Sequence, residues 1–198
     1  MIVLIIIGII VAAFLVVFLL LSIIYALFRK KADPFVSPDK MPILRPIPIP
    51  TKNRCFFMRV LVWFFDVRHW KLEANWCFKF DNGDEIIFPK GFIFDGASIP
   101  RPLWTFLSPV GLLLIPGLIH DYGYKYDQLW TKDEKGQVRS YREGAGRKYW
   151  DYLFKAVGKE VNGFSFIDYL AWLAVKLGGG FAWRAHRKNN KQPKKPII

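Results

Sequence analysis

The sequence contains few of the residues that build disulfide frameworks and zinc centres. Its 198 residues include two cysteines, Cys55 and Cys77, and three histidines, His69, His120 and His186. Two cysteines do not make a disulfide framework, so we expect both to be buried thiols. So few soft ligands also argue against a zinc site. A carboxylate-rich site for Mg²⁺ or Mn²⁺ that uses one histidine stays open.

Several well-known motifs are also missing from the sequence. There is no phosphate-binding loop, no dinucleotide fingerprint before a helix and no nucleophile elbow around a serine. Disorder is excluded as well, because 53% of the residues are hydrophobic and 17% are aromatic. The length suits one folded domain with a membrane anchor.

The N-terminal segment 2–28 has no charged residue. This run exceeds the roughly 20 apolar residues that a membrane span needs, so it is predicted to be a transmembrane helix. A cleaved signal peptide is the alternative, but no Lys or Arg precedes the run and residues 22–26 make a poor cleavage site. Because Arg29, Lys30 and Lys31 follow the run, the positive-inside rule predicts an outside N-terminus and a cytoplasmic domain.

Negative charge is scarce in the chain. Lys and Arg number 29 against 16 Asp and Glu, which gives a net charge of +13, and the segment 185–198 has no acid at all. We predict that this basic tail and the basic flank of the span bind anionic membrane lipid. Nucleic acid is the less favoured partner, because the tail lacks interleaved aromatic residues for base stacking.

The rest of the chain predicts an α+β domain at residues 54–184, after a basic, proline-rich linker at residues 29–53. The linker is expected to be an extended, semi-rigid spacer. Residues 54–94 are predicted to form β-structure, because residues 55–65 are rich in Phe, Val and Trp. The Asn-Gly turn at residues 82–83, between two apolar runs, predicts a small antiparallel hairpin.

Three or four helices are predicted to pack with this sheet. The main segments are 117–129, 140–158 and 164–183, with a short helix at 102–107 and a polar loop at 131–137. Pro116 suits a first helical turn. In the helix at 140–158, the predicted apolar stripe comprises Tyr149, Tyr152, Leu153, Ala156 and Val157.

The last predicted helix contains three consecutive glycines, residues 178–180, which are expected to break it. Asp168 and Lys176 make a second membrane span costly. We therefore predict an amphipathic helix of the core or of an interface.

A first polar motif lies at residues 94–102, Phe-Asp-Gly-Ala-Ser-Ile-Pro-Arg-Pro. Asp95 and Ser98 flank a small-residue turn, and Ser98 can cap the helix that follows. Arg101 can bind a carboxylate or phosphate through two hydrogen bonds. The alternative is a purely structural turn held by an Arg–Asp pair.

A second polar motif lies in the apolar segment 117–124 and contains His120, Asp121 and Tyr124. His120 and Tyr124 share a helix face at i and i+4, whereas His120 and Asp121 point about 100° apart. His120 can act as a general base or a metal ligand, with Asp95 as the carboxylate that orients it. The alternative is a core histidine bonded to a backbone carbonyl.

Taken together, these motifs resemble the phage- and prophage-associated family called domain of unknown function 1353, over roughly residues 55–184. The matching positions are Asp95, Ala97, Ser98, Pro100 and Arg101 in the first motif, His120, Asp121 and Tyr124 in the second, and Arg142, Ala145, Ala182 and Trp183 later. The resemblance implies a phage or prophage origin, a compact α+β domain and polar residues gathered at one site. Gly146 stands where the family pattern has Asp, which implies that this chain lacks one carboxylate.

Two functions follow from these observations. The favoured hypothesis, to which Gly146 contributes, is a non-catalytic, single-pass membrane module of a virion or envelope, with other envelope proteins as partners. The alternative is a hydrolase-like enzyme, whose predicted cluster consists of Asp95, Ser98, Arg101, His120, Asp121 and Tyr124. There His120 would be the base, and a divalent metal, if one is used, would take His120, Asp121 and Asp95 as ligands.

Overall fold

The computed structural model describes residues 2–28, 41–49, 51–66, 68–96, 111–189 and 191–197. The chain divides into two compact units, Met1–Pro34 and Phe35–Ile198. The first contains helix α1, Ile2–Phe28. Its segment Ile6–Leu27 has a mean hydropathy of 3.2, so it is long and apolar enough to cross a membrane, and a signal sequence would have the same character.

The second unit contains two antiparallel sheets. The three-stranded sheet has the order β1-β2-β5, formed by Leu44–Ile47, His69–Leu72 and Ile93–Phe94. The four-stranded sheet has the order β3-β4-β6-β7, formed by Trp76–Lys79, Glu85–Phe88, Leu129–Lys132 and Val138–Tyr141.

Four described helices accompany these sheets. They are α2 (Phe56–Phe65), α3 (Leu114–Tyr126), α4 (Arg147–Asn162) and α5 (Ser165–Asn189). The predicted α+β class is confirmed. The predicted hairpin is also present, because β3 pairs with β4 in the register Phe78↔Ile86, and Gly83 turns the chain with a φ of +90°.

The prediction of β-structure for residues 55–65 was wrong, because this segment forms helix α2. Its aromatic and β-branched residues favour a strand, but six of its apolar side chains are exposed rather than packed on a sheet face. The expected burial of the cysteines was wrong too, since Cys55 and Cys77 are both exposed.

The predicted spacer is extended at residues 44–47, but these residues pair with β2 and so belong to the sheet. Pro46 lies opposite Trp70 on β1, the edge strand of this sheet. Proline has no N–H to donate, and edge strands are where a sheet tolerates it. Residues 29–40 of the spacer lie outside the described residues, as do the predicted short helix at 102–107 and both Ser98 and Arg101.

Helix α3 ends earlier than predicted. It stops at Tyr126, and Asp127 follows with a left-handed φ of +54°. Leu129, predicted to be helical, begins β6, and the predicted polar loop is the turn of a β6–β7 hairpin in which Leu129 faces Tyr141. Polar strands of four residues carry too weak an alternation to be detected in the sequence.

Helix α4 begins at Arg147 rather than at residue 140, and its buried residues are Trp150, Asp151, Phe154, Val157 and Gly158. The predicted apolar stripe is therefore wrong in part, since Tyr152 is exposed. Helix α5 continues through all three glycines to Asn189, so the expected break is absent. The predicted basic tail thus begins inside α5.

The chain after α5 returns to the body of the unit. The Asn75 side chain donates a hydrogen bond to the Ile197 carbonyl over 2.6 Å. In the core, Tyr122 lies edge-on to Phe88 and Phe92, and Trp150 is fully buried. These aromatic contacts fix α3 between the strands and α4.

Candidate functional site

Helix α3 carries the second polar motif in buried surroundings. Pro116 lies in its first turn, as predicted, where a missing N–H costs nothing. His120 and Tyr124 are one turn apart, and their ring centroids are 4.0 Å apart. Both side chains are buried, so the helical spacing predicted from the sequence brings them together out of contact with bulk water.

Helix α4 supplies the carboxylate that holds this pair. Asp151 is buried, and its Oδ1 lies 3.3 Å from Nε2 of His120. The Tyr124 hydroxyl donates a hydrogen bond to the same oxygen. Arg147, one turn earlier on α4, places its Nε 3.8 Å from the other oxygen. Asp151, and not the predicted Asp95, is therefore the carboxylate bonded to the imidazole.

The backbone conformation of Gly146 favours glycine over aspartate at this position. This residue has φ +80° and ψ +163°, a backbone conformation that is almost confined to glycine. Its N–H donates a hydrogen bond to Oδ1 of Asp127 over 2.9 Å. Asp151 nevertheless brings a carboxylate to the cluster from the next turn of α4.

The other ring nitrogen of His120 faces a second carboxyl group. Nδ1 lies 3.7 Å from Oδ1 of Asp121, the next residue on α3. The Asp95 side chain and the N–H groups of Asp95 and Gly96 hydrogen-bond the Asp121 carboxyl. Within the part of the chain that the structure describes, Oδ2 of Asp121 is buried and has no hydrogen-bond partner.

These surroundings give the three groups different protonation states. Burial lowers the pKa of His120 in spite of the opposing charge of Asp151, so the neutral imidazole is favoured. Burial and the neighbouring charge of Asp95 raise the pKa of Asp121 well above its ordinary value. Burial alone would raise the pKa of Asp151, but hydrogen bonds from His120 and Tyr124 outweigh it and hold that pKa below its usual range.

A cavity of 420 Å³ opens onto this cluster. Its polar lining includes Asp95, His120, Asp121 and Tyr124 of the predicted site, joined by three basic side chains, His69, Lys125 and His186. Its apolar lining comprises Ile93, Phe94, Phe154, Val175 and Ala182. A cavity that combines apolar walls with convergent polar groups is the usual form of a small-molecule site.

The glycines of α5 allow this helix to form one wall of the cavity. A side chain at residue 179 would collide with the Tyr124 hydroxyl, whereas a Cβ at residue 178 would meet no atom within 4 Å. Gly178 and Gly179 both line the cavity. The glycine run thus serves close packing rather than a helix break, which the sequence alone did not indicate.

Arg187 fixes the far end of α5 against α3. Its Nη2 donates hydrogen bonds to the carbonyl oxygens of Tyr124 and Lys125, both over 2.9 Å. These carbonyls lie in the last turn of α3, where no N–H of the helix itself can reach them. Its guanidinium carbon lies 4.5 Å from the centroid of the Trp183 ring. This residue, expected to lie in the basic tail, helps to hold the wall of the cavity.

Among the polar residues that line the cavity or bond the cluster, sequence reasoning missed Asp151, Arg147, His69, Lys125 and His186. A signal for Asp151 was present, because it is the lone acid within the buried stripe of α4, three residues before Phe154. Among the described residues, no three His, Cys, Asp or Glu side chains are placed to hold a metal ion. Metal binding by Asp95, His120 and Asp121 stays a prediction, and the roles of Ser98 and Arg101 lie outside the described residues.

Comparison with known proteins identifies a family but no activity. No curated protein and no solved structure matches the chain significantly. A family model described as "Protein of unknown function (DUF1353)" matches residues 70–175, which include most of β2, all of β3–β7, α3 and α4, and every described residue of the His120 cluster. Since the match covers more than half of the chain, the protein belongs to this family.

Proposed function

We propose that the unit Phe35–Ile198 is a hydrolytic enzyme in which His120 is the general base. The observation that carries this proposal is a neutral, buried histidine on a cavity wall, bonded at Nε2 to Asp151 and facing a carboxyl pair at Nδ1. Gly146 was one ground for preferring a non-catalytic module, beside the membrane anchor, the spacer and the basic tail. Asp151 supplies a carboxylate to the cluster, which weakens that one ground.

Asp151 selects the tautomer of the base. An ionised carboxylate only accepts hydrogen bonds, and the lowered pKa of Asp151 keeps it ionised, so Nε2 of His120 carries the proton. Nδ1 then holds the free lone pair and faces the side of the cavity where Asp95 and Asp121 lie. In this arrangement Nδ1 can accept a proton from water, and Asp151 stabilises the imidazolium that results.

Asp121 is the complementary acid. Its raised pKa favours the protonated carboxyl, which Asp95 holds through their hydrogen bond. Water loses one proton to His120 as its oxygen attacks the electrophilic carbon or phosphorus atom of the substrate, and Asp121 gives its proton to the departing group. The proton on His120 then returns to Asp121 through solvent. Two groups whose surroundings push their pKa values apart are the usual basis of acid–base catalysis.

The cavity favours a small substrate with an apolar part and an anionic part. The apolar wall formed by Phe94, Phe154 and Val175 suits the first, and the ammonium of Lys125 suits the second. The Lys125 Nζ lies 3.4 Å from the Ile93 carbonyl oxygen, which holds it at the edge of the cavity.

The test uses the full chain in detergent with p-nitrophenyl acetate, p-nitrophenyl butyrate and p-nitrophenyl phosphate. We expect His120→Gln to lower hydrolysis about 10²–10⁴-fold, the usual contribution of a general base. Asp151→Asn should also lower it, because the amide can donate to Nε2 and so favour the wrong tautomer. Lys135→Gln, in the exposed β6–β7 turn, is the matched control.

A substrate-independent measurement accompanies these assays. Nitrogen chemical shifts of the imidazole should show His120 neutral, with its proton on Nε2, at neutral pH. A charged ring, or a folded His120→Gln variant that hydrolyses at the wild-type rate, would contradict the proposal.

The second candidate, a non-catalytic module, is supported by a different feature of the same cluster. Asp151 joins α3 to α4 through His120 and Tyr124, as a buried network that fixes a fold would do. On this hypothesis, His120→Gln lowers the thermal midpoint and no substrate is turned over. Virion or envelope membership would then be tested by looking for the chain in purified particles and membranes.

We infer that α1 tethers the protein to a membrane, with the globular unit on the cytoplasmic side. The support is an uncharged helix of 27 residues followed by Arg29, Lys30 and Lys31. Carbonate-resistant membrane association and protection of the C-terminal unit from external protease are the expected results. A mature chain that begins after residue 28 would show a cleaved signal sequence instead.

A further inference from the structure

Helix α2 exposes an unusual amount of apolar surface for a helix of ten residues. The exposed fractions are 81% for Phe56, 67% for Phe57, 60% for Trp63 and 66% for Phe65. Val62 is its one buried residue, and among the described residues α2 contributes to neither buried core cluster. Contiguous apolar patches of this kind mark sites that another surface covers.

The charges around α2 indicate what covers it. Lys52, Arg54 and Arg59 accompany the aromatic residues, against the single acid Asp66, in the segment 51–66. The Arg59 Nε donates to the Arg54 carbonyl oxygen over 2.9 Å, which places two cationic residues together at the start of the helix. An apolar, aromatic surface with a basic border matches an anionic lipid surface, which offers hydrocarbon beneath negative headgroups.

The length of α2 indicates how it would meet the membrane. Ten residues span about 15 Å, half of a hydrocarbon core of about 30 Å, so α2 cannot cross a bilayer. A short helix of this composition lies in the interface, where Trp is also enriched. The same chain carries α1, which ends at Phe28 and is apolar enough to span a bilayer.

We propose that α2 is a second membrane contact, which inserts its Phe and Trp side chains into the headgroup region of an anionic bilayer. It lies outside the His120 cavity lining and does not depend on the proposed catalysis. Its role is to hold the globular unit against the bilayer instead of leaving it on a free tether.

The test reconstitutes the full chain, with Cys55→Ala and Cys77→Ser, into vesicles of phosphatidylcholine with phosphatidylglycerol. One spin label is placed by Phe57→Cys in α2, and a matched label by Lys135→Cys in the exposed β6–β7 turn. Electron paramagnetic resonance measures how often each label collides with oxygen, which concentrates in the bilayer, and with a nickel chelate, which stays in water. We expect the label at residue 57 to collide mainly with oxygen and the label at residue 135 mainly with the nickel chelate. With phosphatidylglycerol present, Arg54→Gln should lower the fraction of chains whose α2 is inserted about fivefold. In phosphatidylcholine alone, the same substitution should leave that fraction nearly unchanged.

Three outcomes would overturn the proposal. A label at residue 57 that is no better shielded from the nickel chelate than the label at residue 135 would show that α2 lies in water. Spin–spin coupling between labels at residue 57 would show a second copy as the occupant. A label shielded from both nickel and oxygen would show another protein surface there.

Discussion

Helices α2 and α3 are similar in sequence character and opposite in environment. Both are short and apolar, yet ten of the thirteen residues of α3 are buried and only Val62 of the ten in α2. The difference arises from what surrounds them, because α3 lies among strands, α4 and α5, whereas α2 lies at the surface. Apolar composition therefore indicates that a segment needs a cover, but it does not reveal whether protein or lipid provides it.

The two helices also differ in how they treat polar groups. Helix α3 buries His120 and places Tyr124 against Asp151, so its polar atoms are held in fixed protonation states. Helix α2 carries one charged residue, Arg59, which remains exposed. On our two proposals, the buried helix carries the chemistry and the exposed helix supplies a surface for binding.

Removing the aromatic partner of α3 should have the largest effect on stability. Trp150 is fully buried, and its Nε1 donates to Asp127 over 2.7 Å. We expect Trp150→Ala to lower the free energy of unfolding by about 3–5 kcal/mol, the usual cost of truncating a buried tryptophan. Thermal unfolding of the full chain in one detergent measures this, and a loss as small as that of an exposed position would break the comparison.

A smaller loss is expected where α3 and α4 meet most closely. A Cβ at Gly123 would lie 2.5 Å from the Trp150 ring, which is rigid and enclosed. Gly123→Ala should therefore cost about 1–3 kcal/mol through overpacking. Gly178→Ala in α5 is the matched control, because its Cβ meets nothing within 4 Å and alanine is expected to gain about 0.5–1 kcal/mol in a helix. Equal effects at the two positions would contradict the packing described for α3.

The sequence predicted the elements whose local pattern and tertiary setting agree. The β3–β4 hairpin has an Asn-Gly turn between apolar runs, and α3 has Pro116 in its first turn with apolar residues on all sides. It failed at α2, where Phe, Val and Trp favour a strand by propensity. It also failed at Gly178–Gly180 in α5, because close contact with Tyr124 outweighs the low helix propensity of glycine.

The candidate site was predictable in part for the same reason. His120 and Tyr124 are related by helical spacing, which is local, and the structure confirms their proximity. Asp151 joins them only through the packing of α4 on α3, and no sequence spacing reports that contact. The phase of α4 also differs from the predicted stripe, which did not include Asp151 although this residue belongs to the buried face.

The acid–base assignment in α3 predicts a gain of stability on one substitution. Because the pKa of Asp121 is raised on folding, the folded state holds that proton more tightly, and stability falls as the pH rises from about 3.8 through the raised value. Asp121→Asn removes this loss, so the variant should be more stable than the wild type at neutral pH and equal to it below the unfolded pKa. Chemical unfolding at a series of pH values measures the difference.

His120 should show the opposite slope. Its pKa is lowered on folding, so the unfolded state binds the proton first and stability falls as the pH drops through about 6.5. His120→Gln should therefore remove a loss of stability that occurs as the pH falls, while Asp121→Asn removes a loss that occurs as the pH rises. If both variants change the slope of stability against pH in the same sense, the assignment of a neutral base and a protonated acid is wrong.

The smallest effect on stability is expected in α2, where the comparison is sharpest. Trp63 is 60% exposed, so Trp63→Ala should change the free energy of unfolding in detergent by no more than about 0.5 kcal/mol, as for other surface positions. The same substitution should nevertheless reduce insertion of α2 into anionic vesicles, since it removes the aromatic group best suited to the interface. A large loss of stability in detergent would mean that α2 packs on protein as α3 does, and that its exposed aromatic residues are covered within the fold. A tryptophan that matters at the membrane and not in the fold would establish that these two apolar helices are covered by different surroundings.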